Sequence, residues 1–441
     1  MPVVQQFLRK ALILFSRYPE PGKVKTRLIP VLGPEKAARL QCDLMQGLLG
    51  EAEALLSETE VIIAFQGGSR TKMRSLFGRQ WSYAQQSGQD LGQRMLHALS
   101  SELDKGLERV LLCGSDCPGL STAVLRRGFD ALQHHDLVLG PALDGGYYLI
   151  GARQGLSRKR LAPIFTGIDW GTDRVLRQTE HKAKHSALQV GRIDVLGDID
   201  RPEDLKYLPP DRGEADQPLI SLVVPALNEE DHLKATLETL RTGVNIEIIV
   251  VDGGSRDRTL ELAAGDEVRL FQTGPGRAGQ MNVGAAQARG DILVFVHADT
   301  KLPFGYDLSL RRAVNREGAL GGAFTFALER PFPGSRLVTR LVNLRSRYLR
   351  LPYGDQALFV RADVFARLGG YPEVPILEDV HLLRKIKARG EIVQIGLPAV
   401  TSGRRWEHLG LVKTTCVNQC IMIGDFLGIS PHRLVKLYGK K

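Results

Sequence analysis

Short apolar runs and longer amphipathic stretches alternate along almost the whole chain. Ala11 to Ser16, Glu60 to Phe65, Arg109 to Cys113 and Asp136 to Gly140 are rich in Leu, Ile, Val and Phe and bounded by polar residues, so each is expected to be a buried strand. Helical spacing starts between them near Pro34, Thr71, Leu91 and Ser121. The second half repeats the pattern, with strands at Leu219 to Val224, Ile246 to Val251, Glu267 to Phe271 and Asp291 to Val296 and helices from near Glu229, Asp257 and Arg277. Strand, turn, helix, strand in that order predicts a mostly parallel α/β sheet, built twice. Tyr207 to Pro218 holds Pro209-Pro210 and several acids but neither hydrophobic period, so the linker is expected there, between domains at 1–210 and 218–441. Open α/β sheets bind ligands beyond the carboxyl ends of their strands, which makes the residues just after each strand the place to look for chemistry.

Composition narrows the class. A chain of 441 residues exceeds what one core usually supports. Hydrophobic residues at 43% and charged residues at 24% exclude a disordered or disulfide-scaffold protein. Apolar runs such as Ile292 to Val296 are too short to span a bilayer, and Arg9 and Lys10 stand before too few apolar residues for a secretory signal. The expected location is therefore cytoplasmic. Five cysteines make no disulfide framework, and the C-x3-C spacings of Cys113/Cys117 and Cys416/Cys420 are poor zinc candidates, because structural zinc favours two-residue spacing. A net charge of +10 favours anionic partners: nucleotides, phosphorylated substrates or anionic lipid. No module that reads nucleic-acid sequence is evident.

In the second half, Pro225-Ala226-Leu227-Asn228-Glu229-Glu230 follows the first strand and Asp252-Gly253-Gly254-Ser255 the second. Gly274 to Asn282 opens a helix with Arg277 at its start, His297-Ala298-Asp299 ends the fourth strand, and Tyr353-Gly354-Asp355-Gln356 precedes Glu378-Asp379 at a further helix start. The series closes on Arg404-Arg405-Trp406. It resembles the inverting family 2 glycosyltransferases of GT-A fold over about residues 219 to 406. The resemblance implies a nucleotide-sugar donor held by Pro225, Asn228, Glu229, Asp252, Arg277, Asp355 and Arg405. It also implies a divalent metal, Mg2+ or Mn2+, on Asp299, and catalysis by Asp379 with Glu378 beside it. Each residue has a plainer reading: an Asp-Gly-Gly turn for Asp252, a solvated arginine for Arg277, a turn cap for Asp299, and acids favoured by a helix dipole for Glu378 and Asp379. His297 stands where the family places the first acid of its metal motif, and Ser402 stands where processive members carry glutamine. A single-sugar transfer to an acceptor of unknown identity is the better match.

In the first half, Lys23, Lys25 and Arg27 crowd the turn after the first strand, a pattern suited to a diphosphate or triphosphate but lacking the Walker A glycines. Gly114-Ser115-Asp116-Cys117-Pro118-Gly119, Asp144-Gly145-Gly146-Tyr147-Tyr148 and Gly197-Asp198-Ile199-Asp200-Arg201-Pro202-Glu203-Asp204 follow. Residues 10 to 205 resemble bacterial transferases of the type associated with radical-SAM and selenoprotein domains, with the GT-A-like fold of sugar-phosphate and molybdopterin-cofactor nucleotidyltransferases. That likeness implies magnesium on Asp116 and Asp200. The chain thus reads as two tandem GT-A-like, Rossmann-like domains: a metal-dependent glycosyltransferase behind a nucleotidyltransferase-like domain that either makes its donor or is a second transferase. The alternatives are a nucleotidyltransferase with a sugar-nucleotide binding module, and a sugar-nucleotide sensor without turnover. Arg336, Arg340, Arg345, Arg347 and Arg350 interleave with Leu337, Leu341, Leu344 and Tyr348 at helical spacing. The apolar side of this helix is expected to pack on the sheet. The other reading is peripheral contact with anionic lipid bearing a lipid-linked acceptor.

Overall fold

Strand β1 (Lys10–Arg17) buries both faces, with Ala11 to Leu14 essentially inaccessible, as a central parallel strand must. The computed structural model describes residues 9–208, 217–404 and 410–438 and divides into two compact units, Met1–Arg212 and Gly213–Lys441. In the first unit β2 (Thr59–Gln66), β3 (Ser82–Gln85), β4 (Arg109–Gly114), β5 (Leu137–Pro141), β6 (Tyr147–Arg153) and β7 (Val190–Arg192) complete a sheet of order β3-β2-β1-β4-β6-β5-β7. The β3-β2-β1-β4 half is parallel; β6 runs antiparallel to both β4 and β5, and β7 is parallel to β5. Side-chain caps start four of the helices: Ser69, Asp90, Ser121 and Ser157 each accept a hydrogen bond from a backbone N–H of the first turn.

The second unit holds β8 (Ile220–Ala226), β9 (Ile246–Asp252), β10 (Val268–Gln272), β11 (Ile292–Phe295), the short β12 (Thr300–Lys301), β13 (Gly321–Leu328), β14 (Leu358–Arg361) and β15 (Ile392–Thr401), ordered β10-β9-β8-β11-β14-β13-β15-β12. Setting β12 aside, the strands of each unit counted from its own start follow the same order, 3-2-1-4-6-5-7, with the same parallel and antiparallel pairs. Phe295, Phe365 and Tyr371 pack edge to face or tilted in the second core, with centroids 4.8 to 5.6 Å apart. Both sheets are mostly parallel, Rossmann-like and GT-A-like.

One packing expectation is overturned. In the helix Ser335–Leu349 it is Ser335, Val338 and Ser346 that are buried, while Leu337, Leu341, Leu344 and Tyr348 are 52 to 71% exposed. The helix is pinned by polar ties on its inner face: Asn343 bonds both the N–H and the carbonyl of Phe326 in β13, and the Ser346 hydroxyl donates to Gln356. Its apolar stripe is left facing outward. The helices expected near Glu229 and Asp257 start at Leu233 and Thr259, because the loops before them are tied across β8 and β9.

Candidate active site

Beyond the carboxyl ends of β8 and β11 the second unit opens a cavity of about 500 Å³. Pro225, Glu229, Arg277, His297, Asp299, Asp355, Glu378 and Asp379 all line it. The helix Arg277–Gln287 begins there without a side-chain cap, so its first amides and Arg277 itself face the opening. Arg277 has no ion-pair partner among the described residues. That combination suits a diphosphate better than a purely structural arginine.

Asp299 is held by its neighbours. Its Oδ2 accepts hydrogen bonds from Ser402 Oγ and, at 3.0 Å, from Arg404 Nη2. The same guanidinium nitrogen reaches both carboxylate oxygens of Glu229, at 3.0 and 2.8 Å. Burial works against the charge of Asp299, but the Ser402 hydrogen bond and Arg404 hold its carboxyl below the ordinary range. Glu229 goes the other way, raised by burial and by Asp299 in spite of Arg404. Glu229 therefore positions Arg404, which sequence reasoning passed over in favour of Arg405. Arg405 and Trp406 lie outside the described residues.

The acid pair at the helix Glu378–Lys387 follows Leu377, a non-glycine residue at φ 69°. Backbone strain of this kind persists where surrounding structure over-determines it, commonly at functional sites. Glu378 is buried, and Asp379 accepts a hydrogen bond from the Gly354 N–H through Oδ2 at 2.5 Å. Gly354 lets Asp379 and His297 approach: a Cβ there would lie 2.8 Å from Asp379 Oδ2 and 2.9 Å from His297 Nε2, and both side chains would have to shift. Burial, aided by Arg277, pushes the His297 imidazole toward its neutral form. Asp355 has a buried Oδ1 with no partner, and burial, with Asp379 and Asp299 nearby, pushes its carboxyl up to about 6 against the pull of Arg345. Arg345 stacks on Tyr353 at 3.4 Å from the ring centroid.

Asp252 and Asn228 sit beside this cavity, not on its wall. Asp252 is fully buried; its Oδ2 accepts from the Gly254 and Ser255 N–H groups while Oδ1 is left without a partner. The turn is real, and the second carboxylate oxygen of Asp252 is buried without a partner. Sequence reasoning also missed the wall formed by Asn418, Ile421 and Met422 of the helix Leu411–Phe426. That helix docks through Asp425, bonded to His381 Nε2 at 2.9 Å and to Arg384 at 2.5 Å.

No group of three or more His, Cys, Asp or Glu side chains among the described residues is arranged to hold a metal. A divalent ion would need Asp299 for one ligand and donor phosphate oxygens for others, and the oxygen ligands fit a hard cation. In the first unit the acids expected to bind magnesium are already neutralised. Lys25, 3% exposed and at φ 47°, lies 2.8 Å from Asp116 and donates to the Ile199 carbonyl at 2.5 Å; Arg27 pairs with Asp200 and Lys23 with Glu20 at 2.7 Å. The three cations expected to take a phosphate are thus each engaged. Asp198, between these acids, is pushed up to about 6 by burial and by Asp144, Asp116 and Asp200.

Residues 221–360 match the family described as glycosyl transferase family 2. The second unit contains a family 2 glycosyl transferase domain. Residues 51–172 match a bacterial family of conserved proteins, DUF2064. A glycosyltransferase of Mycobacterium tuberculosis is 29% identical over 165 residues, 35% of this chain and 63% of that protein. The glycosyltransferase YdaM of Bacillus subtilis is 25% identical over 224 residues, 43% of this chain and 51% of that protein. A crystal structure described as a nucleotide-diphospho-sugar transferase from Desulfovibrio desulfuricans shares 36% identity, covering 47% of this chain and 88% of that one with a TM-score of 0.42. The chain spans less than two thirds of the length of the curated relatives.

Proposed function

We propose that the glycosyltransferase domain moves one sugar, with inversion, from a nucleoside-diphosphate donor to an acceptor hydroxyl, with a divalent cation, Mg2+ or Mn2+, at Asp299. The observation that carries this reading is the convergence of Arg277, Asp299, Asp355 and Asp379 on one cavity beyond the strand ends. Inversion needs a single displacement at the anomeric carbon and one base to take the acceptor proton. Asp379 suits that role: the Gly354 N–H fixes its Oδ2, leaving Oδ1 for the proton. Arg277 and the uncapped helix start stabilise the diphosphate as it leaves, while Asp252 and Asn228 position the nucleoside end. When bound, the cation would screen the charge developing on the diphosphate.

For the first domain we infer a nucleotidyltransferase-like role that supplies the donor, supported by the cluster of Asp116, Asp198 and Asp200 beyond the strand ends; the pairs that Lys25 and Arg27 make with Asp116 and Asp200 must open for a metal and a phosphate to bind. The test is hydrolysis and binding of a panel of nucleotide sugars with Mn2+, Mg2+ or EDTA, using the full chain, Asp299→Ala and Asp379→Asn. Metal-dependent donor turnover lost in both variants is the expected result. Donor binding without turnover under any condition would favour a sensor. No donor binding, with nucleotidyl transfer that stops in Asp116→Ala, would favour the nucleotidyltransferase.

A further inference from the structure

The helix Ser335–Leu349 divides its exposed face sharply by chemistry. At about 100° per residue, Arg336, Arg347 and Arg340 fall within an arc of roughly 40°, and Leu344, Leu337, Tyr348 and Leu341 fill the next, roughly 60° wide. All seven side chains are exposed, and the helix contains no acidic residue. Scattered exposed leucines need no explanation, but three leucines and a tyrosine on one stripe bordered by three cations do. The helix Leu411–Phe426 and the turn after it add Ile423, Phe426, Leu427 and Ile429, 42 to 84% exposed.

Both helices adjoin the active site. Tyr353, Gly354 and Asp355, just after the first, and Asn418, Ile421 and Met422, within the second, line the same cavity. No helix among the described residues is long and apolar enough to cross a membrane, so the patches suit contact in the plane of a bilayer surface. We propose that the second domain docks on anionic phospholipid, with Leu337, Leu341, Leu344 and Tyr348 entering the headgroup region and Arg336, Arg340 and Arg347 pairing with lipid phosphates. Charge complementarity chooses this occupant over a second copy of the chain, since copies would bring two arginine arcs together. One consequence, an acceptor hydroxyl delivered from the lipid surface, rests on the transferase reading. The docking itself does not.

The test is co-sedimentation of the full chain with phosphatidylcholine vesicles, with and without phosphatidylglycerol, over a range of salt. Binding to the anionic vesicles that weakens as salt rises is expected. Leu341→Glu with Leu344→Glu should weaken it roughly a hundredfold. Arg336→Gln with Arg340→Gln and Arg347→Gln should remove about a hundredfold of the preference for anionic over neutral vesicles. These side chains point to solvent, and an unchanged thermal midpoint shows that the variants fold. Failure of the full chain to sediment with anionic vesicles at low salt overturns the proposal. So does a dimer in solution that the leucine variant dissociates without any vesicle binding. Vesicle binding needs no donor, so this result is independent of the sugar-transfer assay.

Discussion

The two domains use one sheet order but reverse the source of their charges. In the first, the loop after the first strand supplies cations, Lys25 and Arg27, while the segment after the last strand supplies acids, Asp198 and Asp200. In the second, the loop after the first strand supplies an acid, Glu229, and the segment after the last strand supplies the cation, Arg404. In both, the acid that follows the fourth strand, Asp116 or Asp299, is paired with whichever cation is offered. The scaffold thus fixes where a carboxylate stands, and either neighbouring loop can balance it. Both sites hold more acids than cations: Asp144 and Asp198 stand beside the paired acids of the first, and Asp355 and Asp379 line the second cavity, where one arginine already serves two acids. On the proposed reading, the surplus in the second cavity takes up a further cation and leaves a carboxylate for proton transfer.

The largest expected effect tests which domain carries sugar transfer. Asp379→Asn keeps the shape of the side chain but removes the base, and should lower kcat about 10²- to 10⁴-fold. Asp116→Asn in the first domain should leave transfer from a supplied donor within about twofold, because its charge serves another site. Steady-state rates with donor in excess check both. Equal losses would mean that the domains do not act separately. Next in size, Asp299→Ala should weaken metal affinity about 10- to 100-fold, read as the Mn2+ concentration needed for half-maximal donor binding.

A smaller effect is one of pH. The Asp355 carboxyl is pushed up to about 6 by burial, whereas in an unfolded chain it titrates near 3.9, an approximate reference value. The folded state then binds the proton more tightly, so stability falls as pH rises between about 4 and 6 and stays lower above that window. Asp355→Asn removes the penalty. It should raise the unfolding midpoint of the second domain by roughly 2 kcal/mol equivalent at pH 7.5 and by nothing measurable at pH 4. A gain that does not depend on pH would show that Asp355 keeps its ordinary carboxyl and that the acid surplus is relieved elsewhere.

The inner parallel strands β1, β2 and β4, and β8, β9 and β11, were legible because they are largely buried and read as unbroken apolar runs, whereas the edge strand β3, exposed at three of its four positions, was not. Of the antiparallel additions, the fully buried β5 was legible too, but β13 and β15 were not: β15 alternates buried and half-buried positions through Gly396 and Pro398, and β13 begins with Gly321-Gly322. Arg277, Asp299 and Asp379 follow a strand or open a helix, and it was the family resemblance together with that position that named them. Arg404 could not be named in that way, since Glu229 lies 175 residues away and only the closed sheet brings them together. Nor could the outward stripe of the helix Ser335–Leu349 be told from a packed one. Periodicity says that a helix has two faces; the Asn343 and Ser346 ties decide which one turns inward.

The smallest effects bear most directly on the exchange of charges. Lys25→Met removes a buried ammonium, whose desolvation already offset much of its ion pair, and leaves Asp116 with a side chain 46% exposed to water. A loss of only about 1 kcal/mol follows, or roughly 2–4 °C in a domain of this size. Arg404→Met should cost more, because it leaves Glu229 and Asp299, only 19% and 17% exposed, facing each other without a cation. It should also respond to metal: with both carboxylates unpaired, Mn2+ should raise the unfolding midpoint of Arg404→Met further than that of the parent chain, while Lys25→Met shows no such gain. If instead Lys25→Met is the costlier variant and the one that manganese rescues, the surplus of acid belongs to the first domain and the metal site should be sought at Asp116 and Asp200.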